Sequence, residues 1–458
     1  MQARLIALIG GLALFLLSTP PLADAQLVPL NPYLTQQARF TNVGYEIYPN
    51  PFLLRIDPLE LGNIKAGPVL VHPHFGLAQS YTDNVFRTGN TFGGRRSDWY
   101  TTMAPGLQLQ LPIQGRHRLV FDYRSNIERY SNESSQNVED QTIATNFVAN
   151  FRSGWSISLL QEIKTGHDYR GLGTSTGVLS DEPNKFFNTN WGTEVLYAHQ
   201  AFFRARIKSI QWEFIGPNAG PRDGVTFGDI NTRNRQETYY SVAVGARVAP
   251  KTYVFLEEWI GKYVYEINKA LDSTTFTTTV NARWEMTGKT IGELALGWQQ
   301  KTFDNPSTVF APGVGLTQIR GTGNFSGLYF NGNIFWTPQD RTQVIFNVFR
   351  RTNETVLGGT RFFVSSGFGV DVRHAITKKW RATLQLVYDH DSYSDPIFAD
   401  GKARTRKDNY LTFGPGVWYQ IQPWLGARFT YTYTERLSNF DSVQYNANVL
   451  MLSVQAQF

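Results

Sequence analysis

A chain of 458 residues with no cysteine, a formal net charge of +6 and 17% charged residues excludes a disulfide scaffold, thiolate catalysis and cysteine metal centres. The charged fraction lies below the roughly 25% usual for soluble domains. Aromatic residues reach 14%, with 22 Tyr and 11 Trp, the residue types that collect where apolar and aqueous phases meet. No Lys/Arg run marks a nucleic-acid site, so nucleic acid is not an expected partner.

Met1 to Arg4 is a short basic start, Leu5 to Leu17 is almost wholly apolar, and Pro20 and Pro21 break the run before Ala23-Asp24-Ala25. This pattern predicts a secretory signal peptide over residues 1–25, cleaved after Ala25. Residues 26–68 hold Pro29, Pro32, Pro49, Pro51 and Pro58 with little alternation, which predicts an irregular segment in the periplasm or the lumen.

From Val69 to Phe458 the pattern is regular. Strands of roughly 11 to 16 residues with a period of two alternate with two kinds of connection. Short turns are expected at Pro112–Arg116, Arg152–Gly154, Ala198–Gln200, Ala249–Lys251, Thr287–Lys289, Thr337–Asp340, Ala375–Lys379 and Ile421–Trp424. Longer polar connections are expected near 87–97, 131–140, 169–184, 215–233, 267–273, 304–324, 355–360, 394–405 and 437–441. Eight short and nine long connections join eighteen strands; sixteen is the alternative.

The strands carry one apolar and one polar face. Leu119, Phe121 and Tyr123 alternate with Arg118, Asp122 and Arg124. Phe203, Ala205 and Ile207 alternate with Arg204, Arg206 and Lys208. Trp380 to Tyr388 and Ala427 to Tyr433 repeat the pattern. A soluble sandwich also alternates, but its apolar faces meet in a dry core. Here Trp155, Trp284, Trp336, Trp380 and Trp418 sit towards strand ends, where an interfacial girdle would place them. The reading is an all-β chain forming a transmembrane antiparallel barrel over residues 69–458, with short periplasmic turns and long extracellular loops. Its expected place is the bacterial, Gram-negative, outer membrane, with outer-membrane lipid and the barrel-assembly machinery as partners.

The last strand, Val449 to Phe458, sets Leu450, Leu452, Val454, Ala456 and Phe458 against Ser453, Gln455 and Gln457. Ending on an aromatic residue, it resembles the signal by which outer-membrane barrels are recognised for assembly. Deleting Phe458 is therefore expected to leave the chain unassembled and open to proteases in the periplasm. Fractionation and heat-modifiability gels check this; a normal heat-modifiable barrel in the outer membrane would refute it.

One segment carries a family likeness. Gly67-Pro68 leads into His74-Phe75-Gly76-Leu77-Ala78-Gln79-Ser80-Tyr81-Thr82-Asp83-Asn84-Val85-Phe86. Ser97-Asp98-Trp99, Ala104-Pro105-Gly106-Leu107-Gln108-Leu109, Arg118-Leu119-Val120-Phe121-Asp122-Tyr123 and Glu128-Arg129-Tyr130 follow. The segment resembles the putative β-barrel porin family, second type. The resemblance implies a membrane barrel across the remaining chain and, as one possibility, a part in polysaccharide export. It implies no catalytic residues.

The residues offer little to an enzyme. There is no Gly-x-Ser-x-Gly elbow, no His-Glu-x-x-His helix and no phosphate-binding loop. His72 and His74 share a strand face without a third ligand at a diagnostic spacing. His390, between Asp389 and Asp391 with Asp395 close by, lacks the glycine turn and closing Glu of a calcium loop and reads as a solvated loop. Asp83-Asn84 reads as a turn initiator. No catalytic, metal or cofactor site is expected.

The expected site is the polar lining of a water-filled lumen. Arg118, Asp122, Arg124, Arg204, Arg206, Lys208, Arg283, Asp371, Arg373, Arg381 and Arg428 are the pore-lining candidates, and Arg247 and Arg350 extend the basic set. Basic rings favour anions and anionic sugars, so the expected passenger is a polar solute, with anions favoured, or an exported polysaccharide. Pairing of these cations with Asp122, Glu194, Glu293, Asp371 or Asp389 would instead stiffen the wall. A structural or receptor barrel with an occluded lumen and ligand-binding loops is the other reading.

Overall fold

A computed structural model describes residues 64–89, 94–171, 182–215, 230–287, 289–305, 308–311, 315–318, 323–355, 360–399 and 402–458. The expected signal peptide and most of the proline-rich segment lie outside the described residues.

Eighteen antiparallel strands form one sheet that closes on itself. In chain order they are β1 Val69–Thr82, β2 Asp98–Ile113, β3 His117–Tyr130, β4 Val138–Asn150, β5 Trp155–His167 and β6 Lys185–Ala198. Next come β7 Ala201–Ile215, β8 Arg235–Ala249, β9 Thr252–Tyr265, β10 Ser273–Thr287, β11 Thr290–Phe303 and β12 Phe325–Gln339. The last six are β13 Thr342–Glu354, β14 Phe362–Ala375, β15 Trp380–Ala399, β16 Lys402–Gln422, β17 Leu425–Ser438 and β18 Tyr445–Gln457. Each pairs with its chain neighbours, and β18 returns to β1 in register from His74↔Gln457 to Thr82↔Val449. Closure gives every strand a partner on both sides, as sheet structure in a bilayer requires.

The eight short turns fall where the alternation breaks. The long polar connection expected near 394–405 does not form as a loop. β15 runs to Ala399, β16 starts at Lys402, and Pro396↔Thr405 to Ala399↔Lys402 remain paired after a register shift between Ser392 and Pro396. Polar composition suggested a loop, but a hairpin standing clear of the membrane has no need of an apolar face. A second difference precedes β1. Ile64–Ala66 pairs back onto Val69–Val71, turning through Gly67, whose φ of +61° lies where a side chain is disfavoured.

Burial separates the two faces. On β18, Leu450, Leu452 and Val454 are 42%, 59% and 43% exposed, whereas Ser453 and Gln455 are 1% and 0%. Such an inversion, apolar outside and polar inside, suits a barrel with lipid around it and water within. Trp155, Trp336, Trp380 and Trp424 are exposed on the outer wall near the short turns, with Trp155 on Tyr197, Trp380 on Tyr419 and Trp424 on Phe458. The Phe458 N–H also donates to the Pro73 carbonyl at 3.0 Å.

Trp418 is not part of this girdle. It is fully buried and pairs with Arg381 and Arg428, so it shares their inner face. Its ring lies over Gly426, where an added Cβ would approach to 1.9 Å. Nearness to a strand end suggested the girdle, but strand parity decides the face.

Candidate functional site: the charged inner wall

Register fixes which side chains share the inner face. Arg118, Asp122 and Arg124 on β3 stand opposite Pro112, Gln108 and Gly106 of β2. Arg204, Arg206 and Lys208 on β7 pair with Leu196, Glu194 and Gly192 of β6. Arg283 on β10 pairs with Glu293 of β11. Asp371 and Arg373 on β14 pair with Gln385 and Thr383 of β15, Arg381 on β15 with Trp418, and Arg428 on β17 with Trp418 and Ser453. All eleven therefore stand on one face, and the cations cluster towards the short-turn half of their strands. Arg247 stands on the same face, opposite Tyr253. Arg350 does not. It pairs with Phe330 and Ser366, on the parity that faces outward.

Carboxylates interleave with the arginines. Arg204 donates to Glu257 at 2.7 Å and to Glu293 at 2.9 Å, spanning β7, β9 and β11. Arg206 donates to the other Glu257 oxygen, and the Ser241 hydroxyl adds a bond at 3.0 Å. Phe255 lies 4.8 Å from the Arg204 guanidinium, and Trp259 lies 4.1 Å from that of Arg206. Arg124 reaches Asp122 at 2.7 Å, and Arg373 reaches Asp371 at 3.0 Å. Arg381 donates to the Gln420 side chain at 3.1 Å, while Arg428 lies 5.8 Å from the Trp418 ring. The lower wall is thus a cationic lattice partly neutralised in place.

Glu257 is the hub of this lattice, and the sequence reading did not pick it out. In the tandem Glu257-Glu258, alternation sends one carboxylate inward and the other outward, and their polarity alone does not say which. A second belt nearer the long loops was also missed. There Arg235 pairs with Glu237 and Arg406 with Asp408. A usable signal existed: opposite charges at i and i+2 share a strand face, as in Asp122/Arg124 and Asp371/Arg373.

Above Arg350, β13 leaves β12, since their pairing stops at Phe330↔Arg350. Its end instead lies over the inner wall of β9 and β11. The Thr352 N–H donates to Gln299 Oε1 at 2.9 Å, the Tyr265 hydroxyl to Glu354 at 2.6 Å, and the Lys301 ammonium to the other Glu354 oxygen. Phe362 packs on Phe303 with centroids 5.9 Å apart. A cavity remains beneath this infolded end, lined by Arg206, Trp259, Tyr263, Glu293, Tyr329 and Arg351 among others. At the same mouth the Tyr445 hydroxyl donates to the Gly171 carbonyl at 2.9 Å.

The other singled-out residues resolve simply. His72 and His74 face inward on β1, and among the described residues no group of three or more potential ligands is placed to hold a metal ion. His390 lies within β15, not in a solvated loop, and its ring meets Asn409 at 2.9 Å. Strand parity turns it away from Asp389 and Asp391, and Asp395 pairs with Arg361. Asp83 and Asn84 anchor the first long loop to β18: Asp83 accepts from the Asn448 N–H at 2.8 Å, and Asn84 Nδ2 donates to the Asn446 carbonyl at 2.9 Å.

No curated protein sequence matches this chain. Among solved structures it is similar to the outer membrane protein OpdK of Pseudomonas aeruginosa, at 10% identity and a TM-score of 0.42, covering 85% of this chain and 99% of that one. OpdO of the same organism gives 12% and 0.41 over 85% and 97%. The siderophore receptor PirA of Acinetobacter baumannii gives 8% and 0.38 over 84% and 80%. The family described as "Putative beta-barrel porin 2" matches residues 57–458, and the chain belongs to that family of outer-membrane barrels.

Proposed function

We propose that the barrel passes polar solutes, anions in preference to cations, or an exported polysaccharide, through a water-filled lumen. The observation that carries this reading is the spread of inward Arg and Lys side chains from β3 through β7, β10, β14 and β15 to β17. Barrels of 16–18 strands leave an aqueous channel, and rings of basic side chains select for anions. The same reading gives the chain a leader removed after Ala25, assembly machinery that recognises its last strand, and transport without catalysis.

Reversal potentials across a salt gradient test the selectivity. Anion preference is expected at low salt and should fade as ionic strength rises, since the Debye length falls from about 30 Å at 0.01 M to about 3 Å at 1 M. Replacing Arg206 and Lys208 by Gln should weaken it. Cation preference at low salt would defeat the reading.

A second reading draws on the infolded end of β13 and the Tyr445–Gly171 contact. Those contacts narrow the mouth, as in a receptor or structural barrel whose loops bind partners while the lumen stays occluded.

A further inference from the structure

The cavity beneath the infolded end of β13 has a lining of one chemical kind. Its aromatic rings are Tyr239, Trp259, Tyr263 and Tyr329, each with a polar tip, and among the described residues no Val, Leu, Ile, Met or Phe lines it. Threonines of β10 and β13 and amides of β10 to β13 make up most of the rest. A lipid or an aliphatic peptide finds no apolar wall there, whereas a ring that is apolar on its face and hydroxylated at its edge does find partners. The carboxylates of the lining are already engaged. Glu257 holds Arg204 and Arg206, Glu293 holds Arg204, and Glu354 holds Lys301 and the Tyr265 hydroxyl. Arg351 differs. Its guanidinium lies 5.4 Å from the Phe349 ring, and Asp389 and Tyr329 both feel its charge. Among the described residues no carboxylate is in ion-pair contact with it.

Three buried atoms of the lining have no hydrogen-bond partner within the protein: Arg351 Nε, Asn331 Oδ1 and Thr275 Oγ1, the last on a side chain only 5% exposed. Leaving such atoms unpaired is costly, and their needs differ. A guanidinium N–H needs an acceptor, an amide oxygen needs a donor, and a hydroxyl serves as either. A simple anion satisfies Arg351 and leaves Asn331 unmet, and a cation does the reverse. A molecule carrying both a carboxylate and hydroxyls meets all three. Asn331 pairs with Ala295 and Thr275 with Lys301, so they stand roughly 20 Å apart along β11 at about 3.3 Å per residue. The cavity's roughly 890 Å³, counting the part open to solvent, spread over that length gives a mean section of about 45 Å², room for one unbranched chain of rings. We propose that this cavity binds sugar acids, free or as units of an acidic chain. The uronate carboxylate lies on the Arg351 guanidinium, a charge-assisted pair, with ring hydroxyls on Asn331 and the ring face on Tyr329. Thr275 meets a further unit of the chain. The site rests on the reading of the lumen as a path for polar solutes, and it selects one class among them.

Isothermal titration calorimetry of the purified barrel in detergent, with galacturonate, trigalacturonate and maltotriose as probes, tests this. Trigalacturonate should bind more tightly than galacturonate, and uncharged maltotriose at least about tenfold more weakly than trigalacturonate, since it offers Arg351 no carboxylate. Arg351→Gln should weaken both uronates about tenfold or more, the loss expected for a hydrogen bond to a charged group. Tyr329→Ala should also weaken both, and Thr275→Val should weaken trigalacturonate alone. A heat-modifiable shift shows that each variant has folded. Equal affinities for the two uronates would assign the site to the free acid and remove Thr275 from it. No binding of either uronate overturns the proposal. So does maltotriose binding as tightly as trigalacturonate, or uronate binding that folded Arg351→Gln and Tyr329→Ala leave unchanged. Binding is read here without current, so the two readings fail separately. A conducting barrel that binds no uronate loses the site and keeps the path, and a silent barrel that binds uronates loses the path and keeps the site.

Discussion

Replacing Glu257 by Leu is expected to cost about 3–5 kcal/mol of barrel stability, the usual range when one member of a buried ion pair is removed. Arg204 and Glu257 are 4% and 2% exposed in their side chains, and the same carboxylate accepts from Arg206 and Ser241. Without it, Arg204 keeps its bond to Glu293, and Arg206 loses its bond to this carboxylate while remaining on the face of Trp259. Urea unfolding of detergent-solubilised protein reads the loss as a lower midpoint at unchanged slope. Glu257→Gln, which keeps the shape, should lose less stability and should strengthen anion preference, since it removes a negative charge from the wall. An unchanged midpoint in Glu257→Leu would mean that water reaches these arginines and already stabilises them.

The second large effect concerns the faces of the wall. Leu452→Arg is expected to cost about 2–4 kcal/mol, the penalty of a cation near the bilayer midplane, because Leu452 is central on β18 and 59% exposed. Thr430→Arg is its control. Thr430 pairs with Gly416 and Met451 on the inner face and is only half-buried, so the longer side chain extends towards the lumen. The control should fold nearly as well as the unmodified chain and alter ion preference. Folding titrations into lipid vesicles measure both variants. Equal costs would contradict the assignment of inside and outside.

Much of the fold was legible because a strand between two solvents writes its period into the sequence. Leu119/Phe121/Tyr123 against Arg118/Asp122/Arg124 states both the element and its orientation, and a turn such as Ala249–Lys251 states where the chain reverses. Legibility failed where tertiary context overrides period. Trp418 looked interfacial, yet Gly426 makes room for its ring inside. Arg350 was grouped with the lumen cations because the strand was read without its partners, and register with Phe330 reverses that. The infolding of β13 depends on Lys301 meeting Glu354 and Gln299 meeting Thr352, pairs each 53 residues apart in the chain, which no local pattern brings together.

Single-channel recording of purified, refolded protein in a planar bilayer tests the central account most directly. The predicted result is a steady, ohmic conductance that scales with bulk salt at high ionic strength, as expected for water-filled space bounded by the inner wall. Silence from protein that shows the heat-modifiable shift of a folded barrel would contradict it, and would mean that the infolded end of β13 and the loop contacts at the mouth close the lumen.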